Sequence, residues 1–194
     1  MKRLNNKRFS YSLKMTVLCF WAMTGCVKDH GITAPFTLKS AELTSVMTNA
    51  QFANGFGGCT GENKSPQLSW ENPPEGTKSF AVTIYDRDAN AGAGFNHWLL
   101  VDIPATVTSL AQDAGNFSGA KIPSGSIQTQ TDAQVAGYVG VCPPDGETHH
   151  YEITVYAVSD NTLGLSDASS PSEVKMLLAS KTLASSILTV TATK

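Results

Sequence analysis

Phe80-Ala81-Val82-Thr83-Ile84-Tyr85, followed at once by Asp86-Arg87-Asp88-Ala89, sets the secondary-structure class of this chain. Its β-branched and aromatic residues favour a pleated backbone, and alternation puts Phe80, Val82 and Ile84 on one face. Further on, His97 to Ile103 is a nearly continuous apolar run, as a strand covered on both faces requires. Tyr151 to Val158 alternates again, with Tyr151, Ile153, Val155 and Ala157 sharing a face. Turn-rich segments separate these runs: Asn72-Pro73-Pro74-Glu75-Gly76, Asn90 to Gly94, and Cys142-Pro143-Pro144-Asp145-Gly146. Short strands punctuated in this way predict a mainly β protein, a sandwich or a barrel.

One helix is expected near the end. Ser170-Pro171-Ser172-Glu173 places Ser at the N-cap, Pro at N1 and Glu at N3, which is a capping box. Val174, Leu177 and Leu178 then form an apolar stripe suited to docking on a sheet. A final strand is predicted over roughly Ile187 to Ala192. Asn116 to Ala136 is polar and unpatterned, and is expected to be a long loop. The 194 residues suit one domain, and a net charge of −2 provides no electrostatic footprint for nucleic acid.

The first residues do not belong to that domain. Lys2, Arg3, Lys7, Arg8 and Lys14 precede the apolar run Met15 to Met23, too short for the about 20 apolar residues that span a bilayer. This is the layout of a signal peptide over residues 1–25. Met23-Thr24-Gly25-Cys26 resembles a lipobox in which Cys26 takes the lipid, with Met23 in place of the usual Leu. Plain cleavage with Cys26 free, and an uncleaved anchor, are the competing readings. Residues 26–35 would then be a lipidated N-terminus and tether, and residues 36–194 the domain. Removing the leader discards Cys19; lipidation of Cys26 leaves Cys59 and Cys142 as one pair for an oxidising compartment, or as two unpaired thiols.

His97, His149 and His150 each stand at the start of a predicted strand beside a turn, and Asp86 and Asp88 follow the end of another. Taken alone, Asp86 reads as a strand-end turn cap and the histidines as surface or satisfied structural residues. The surrounding motifs carry more. Gly61 to Trp70 with Pro74 to Phe80, Asp86-Arg87-Asp88-Ala89, Asn96-His97-Trp98-Leu99, Gly137 to Pro144 and His149-His150-Tyr151 resemble, in order, the signatures of the phosphatidylethanolamine-binding protein family. Arg87 stands where that family usually has Pro, and His150 where Arg is common. The exported leader and the two domain cysteines point to its bacterial Raf-kinase-inhibitor-like branch.

The resemblance implies an antiparallel β-sandwich with a C-terminal helix and a small anion-binding pocket at one end. Carried over by position, Asp86, His97 and His149 form the pocket, Tyr151 stands nearby, and Gly137 and Gly140 lie in a loop at its rim. Imidazole N–H groups donate to anionic oxygens, a carboxylate fixes a tautomer, and glycine lets backbone N–H groups approach an anion. Arg87 is expected to face solvent, Asp88 to stabilise the turn, and Trp70 and Trp98 to be core and pocket-wall aromatics.

The expected activity is therefore non-enzymatic binding of phosphate, a phosphate ester or a phospholipid head group, without cofactor or metal. The membrane would be met through the lipid anchor, in the cell envelope and more specifically on the outer membrane facing the periplasm; the alternative is an exported protein free in the periplasm. Two other classes compete. One is an interaction protein that modulates a kinase, protease or host signalling partner of unknown identity. The other is a hydrolase using the His/Asp set, against which no activated nucleophile presents itself: Gly164-Leu165-Ser166-Asp167-Ala168 lacks the last glycine of a nucleophile elbow.

Overall fold

Strand β3 (Ser79–Asp86) lies at the centre of the larger of two sheets and is buried along nearly its whole length. The computed structural model describes residues 34–194. Residues 1–33, which hold the expected signal peptide, Cys26 and most of the expected tether, lie outside the described residues.

A three-stranded antiparallel sheet is built from β1 (Thr37–Lys39), β2 (Leu68–Glu71) and β5 (Ser109–Leu110), in the order β1-β2-β5. The larger sheet adds β4 (Phe95–Pro104), β6 (Ile127–Gln128), β7 (Thr148–Val158) and β8 (Thr182–Thr193), in the order β6-β4-β3-β7-β8, again antiparallel. The two sheets pack face to face as an antiparallel β-sandwich. Phe80, Val82 and Ile84 of β3, with Tyr151, Ile153, Val155 and Ala157 of β7, meet Leu38, Leu68, Trp70 and Leu110 of the smaller sheet. Burying a large apolar side chain contributes about 1.5–3 kcal/mol, so this alternation fixes which face of β3 and β7 turns inward.

The opposite face of β3 and β4 explains the unbroken apolar run in β4. Trp98 and Leu100 enter the sandwich core, while Leu99 and Val101 pack with Ala81, Val158, Val174 and Leu178 beneath the helix Pro171–Lys181. That helix begins as its sequence predicts: the Ser170 hydroxyl accepts from the Glu173 N–H, and the Glu173 carboxylate accepts from the Ser170 N–H at 2.7 Å. Leu177 is only half-buried, so Val174 and Leu178 carry the docking.

Two boundaries differ from expectation. Strand β8 starts at Thr182, five residues before Ile187, because Thr182 to Ser186 pair with Val155 to Val158 of β7. Neighbouring strand pairing overrides the small polar composition there. The segment 116–136 is not a structureless loop either. It contains β6, and Gln128 is buried because its amide oxygen accepts from Trp98 Nε1 at 2.7 Å while its nitrogen donates to the Asn116 carbonyl. Cys59 and Cys142 are joined in a disulfide, 83 residues apart in sequence. The same region is stitched by the Ala53 N–H donating to the Val141 carbonyl and the Val141 N–H to the Gln51 carbonyl.

Candidate functional site

Asp86 closes β3, and both of its carboxylate oxygens are engaged. Oδ1 accepts from the N–H groups of Asp88 at 2.9 Å and Ala89 at 3.1 Å, the Asx-type turn that stops the strand. Oδ2 accepts from His149 Nδ1 at 2.7 Å. The turn-cap reading and the site reading of Asp86 thus describe the same carboxylate, and the residue is 2% exposed.

Strand register brings the partners in. Asp86 lies opposite Tyr151 in the β3–β7 ladder, so His149, two residues earlier on the same inward face, reaches the carboxylate. The other ring nitrogen, Nε2, lies 3.2 Å from Glu147 Oε2. Burial pushes the His149 imidazole down, but the hydrogen bonds to Asp86 and Glu147 outweigh it, and its pKa is raised overall. Donating from both nitrogens describes an imidazolium.

His97 arrives from β4. Its Nδ1 donates to the Val139 carbonyl at 2.7 Å, which turns Nε2 toward Asp86 Oδ2 at 4.0 Å. Burial lowers its pKa, more than the Val139 carbonyl and the Asp86 charge raise it. His97 is therefore neutral near pH 7, with the proton on Nδ1 and a lone pair on Nε2. Its ring packs against Phe95 at 4.8 Å and edge-on to Tyr151 at 5.4 Å between centroids.

The Tyr151 hydroxyl is buried and makes no hydrogen bond of good geometry among the described residues, although the Asp86 carboxylate lies close by. Burial first, and then the charge of Asp86, push its pKa upward, so it stays a neutral donor. A buried donor without a partner costs about 1–3 kcal/mol, and such groups in native folds call for a ligand or a water.

The glycine loop contributes differently from the anion nest that glycine suggests. The Gly140 N–H donates to Asn63 Oδ1 at 2.8 Å, and a Cβ there would lie 2.5 Å from the Ala53 nitrogen. Gly137 has φ +134 and sits against the Phe117 ring. Both glycines let the loop pack closely, and the group it delivers to the corner is the Val139 carbonyl.

Around the corner, Asp88 Oδ2 accepts from His150 N at 2.6 Å and His150 Nδ1 at 2.8 Å, binding the turn to β7. These bonds hold the Asp88 carboxyl below its usual range. Arg87 is half-exposed and pairs with Glu152 at 3.7 Å. Trp98 and Trp70 are fully buried, and Trp98 lies edge-on to Tyr138. No set of three or more His, Cys, Asp or Glu side chains among the described residues is arranged to hold a metal ion. A separate cleft of about 870 Å³ lies on the outer face of the large sheet beside the helix, floored by Thr83 and Thr154 and flanked by Tyr85 and Tyr156. It does not include the Asp86 corner.

The sequence motifs thus bring Asp86, His97, His149 and Tyr151 together. The Val139 carbonyl and Glu147 were missed. A backbone carbonyl leaves no mark in sequence, whereas Glu147 could have been found from its spacing: two residues before His149, it falls on the same side of an extended chain.

A family model described as phosphatidylethanolamine-binding protein matches residues 42–193. The chain belongs to the phosphatidylethanolamine-binding protein family. Among relatives, it is 43% identical over 159 residues to UPF0098 protein YbcL of Escherichia coli (strain K12), covering 80% of this chain and 86% of that one. It is 42% identical to UPF0098 protein YbhB of the same organism over 136 residues, 70% of this chain and 85% of the relative. The crystal structure of E. coli YbcL, described as a new member of the mammalian PEBP family, superposes with a TM-score of 0.80 at 41% identity, covering 83% of this chain and 99% of that one. The PEBP homologue CT736 of Chlamydia trachomatis gives a TM-score of 0.68 at 23% identity, over 82% of this chain and 97% of the other, and supports the fold.

Proposed function

We propose that this PEBP-family chain binds a small anion, with phosphate, a phosphate ester or a phospholipid head group as the ligand class, and does not turn it over. The observation that carries this reading is the convergence of two imidazoles on Asp86 Oδ2, at 2.7 and 4.0 Å, beside a buried Tyr151 hydroxyl that makes no hydrogen bond of good geometry among the described residues. His149 supplies a cationic donor at Nε2, Tyr151 a neutral donor, and His97 an acceptor for a protonated ligand oxygen. A hydrogen phosphate carries both the acceptors and the proton this set demands.

Binding is favoured over hydrolysis by the partners of the histidines. Their rings hydrogen-bond to the Val139 carbonyl, Asp86 and Glu147 and, among the described residues, to no serine, threonine or cysteine that they could activate as a nucleophile. Titration of the purified protein with inorganic phosphate, followed by calorimetry and by histidine ring NMR signals, is expected to show saturable binding that His97→Ala and His149→Ala weaken. Wild-type protein with unperturbed ring signals at tens of millimolar phosphate would remove the reading. Turnover of generic phosphoesters that stops in His97→Ala would replace it with the hydrolase.

We further propose that the chain is exported and lipid-anchored through Cys26. The Cys59–Cys142 disulfide supports an oxidising destination. Metabolic labelling with an alkyne fatty acid should mark the wild type and not Cys26→Ala; equal labelling of both would exclude that anchor.

A further inference from the structure

Only one nitrogen of His149 remains for a ligand. Nδ1 is committed to Asp86 Oδ2, so an incoming anion must meet Nε2, and Nε2 already faces Glu147 Oε2 at 3.2 Å. The two side chains differ sharply in exposure, 9% for His149 and 58% for Glu147. The Glu147 carboxylate therefore reaches in from the solvent side, into the place a ligand oxygen would take.

Its backbone is held there. The Glu147 N–H donates to the Pro144 carbonyl at 3.1 Å and its carbonyl accepts from the Lys194 N–H at 3.3 Å, while the Gly146 N–H donates to the Lys194 carbonyl at 2.7 Å. The nearby cations are committed to other groups. Lys194 pairs with Asp145 and donates to the Gly57 carbonyl, and Arg87 pairs with Glu152. Among the described residues, His149 is the one cation paired with Glu147.

We propose that Glu147 is a built-in competitor and a determinant of specificity: in the free protein its carboxylate occupies the ligand-facing nitrogen of His149, and an anion binds by displacing it. This rests on the anion-binding reading of the Asp86 corner. Binding is then an exchange of one anion for another. An anion with a single weak acceptor gains little over the carboxylate already present. A tetrahedral oxyanion that also satisfies Tyr151 and His97 gains the difference, so the threshold set by Glu147 favours phosphate-like ligands. Once displaced, the side chain can swing into solvent, because among the described residues His149 alone holds its charged end.

The test compares inorganic phosphate binding by calorimetry in the wild type, Glu147→Gln, Asp145→Asn and His149→Ala. Asp145→Asn removes the same charge two residues away, at an 87% exposed side chain whose ion pair is with Lys194 rather than His149. A solvent-facing ion pair of this kind is worth a modest factor, so Glu147→Gln is expected to bind phosphate about two- to fivefold tighter, with Asp145→Asn unchanged. Equal affinity in wild type and Glu147→Gln, with His149→Ala weakened, would overturn the competitor role and leave the anion site standing. Equal gains in Glu147→Gln and Asp145→Asn would also overturn it, since a general field and not a contact would be at work. Absence of phosphate binding in both wild type and Glu147→Gln would overturn the competitor role and the anion site together.

Discussion

Tyr151→Phe separates a ligand-directed hydroxyl from a structural one. The substitution keeps the ring, including its edge-on contact with His97 at 5.4 Å, and removes only a buried hydroxyl that makes no hydrogen bond of good geometry among the described residues. An unsatisfied buried hydroxyl costs about 1–3 kcal/mol, so deleting it should leave stability unchanged or raise it by up to about 2 kcal/mol. At roughly 2–4 °C per kcal/mol for a domain of this size, Tm should stay level or rise by up to about 8 °C. Phosphate binding should move the other way. A hydrogen bond to a charged group contributes about 1.5–3 kcal/mol, which predicts roughly 10- to 150-fold weaker binding. The paired assay is differential scanning fluorimetry with calorimetric phosphate titration on the same preparations. A variant that loses more than about 1 kcal/mol of stability and binds phosphate like the wild type would show that the hydroxyl serves the fold, and the reasoning would fail.

Three other perturbations follow from the same geometry. The folded pKa of His97 lies below the ordinary histidine value of about 6.5, so the unfolded chain binds the extra proton and stability should fall as pH drops below about 6.5. His149 is shifted the opposite way, so its contribution is present below about 6.5 and lost as pH rises through its folded pKa. Urea unfolding from pH 4.5 to 8.5 should show His97→Gln flattening the acid side and His149→Gln the alkaline side; exchanged effects would contradict the assignment. Replacing Cys59 and Cys142 together by serine opens an 83-residue loop and should cost about 2–4 kcal/mol, measured by denaturant midpoint; no loss would mean that the hydrogen bonds around Val141 already fix this region. Gly140→Ala puts a Cβ 2.5 Å from the Ala53 nitrogen, a backbone atom that cannot step aside, and should cost about 2–3 kcal/mol in a thermal melt; a neutral result would show that the loop gives way.

What could be read in advance divides along physical lines. Strands β3 and β7 were legible because one face of each is apolar and enters the core, and the helix because Ser170, Pro171 and Glu173 write its start in side chains. The beginning of β8 was not, since Thr182 to Ser186 are held by pairing with β7 rather than by their own hydrophobicity. Gln128 and Thr129 escaped for a similar reason: both are buried in a polar stretch, Gln128 through hydrogen bonds to Trp98 and Asn116 that no periodicity announces. At the corner itself, Asp86, His97 and His149 stood out through family motifs and strand-end placement. The orientation of His97 did not, because it depends on a main-chain oxygen of Val139 that the glycine-containing loop brings to it.

The double engagement of Asp86 has a consequence for how such a corner can diversify. One carboxylate ends a strand with its first oxygen and aligns an imidazole with its second. Asparagine would keep the acceptor for the turn yet offer an amide where His149 needs an acceptor, and glutamate would overshoot both. Position 86 is therefore locked by architecture before ligand choice arises. Retuning toward a different anion falls to neighbours that carry no such dual duty, and 147 is the position where drift is cheapest.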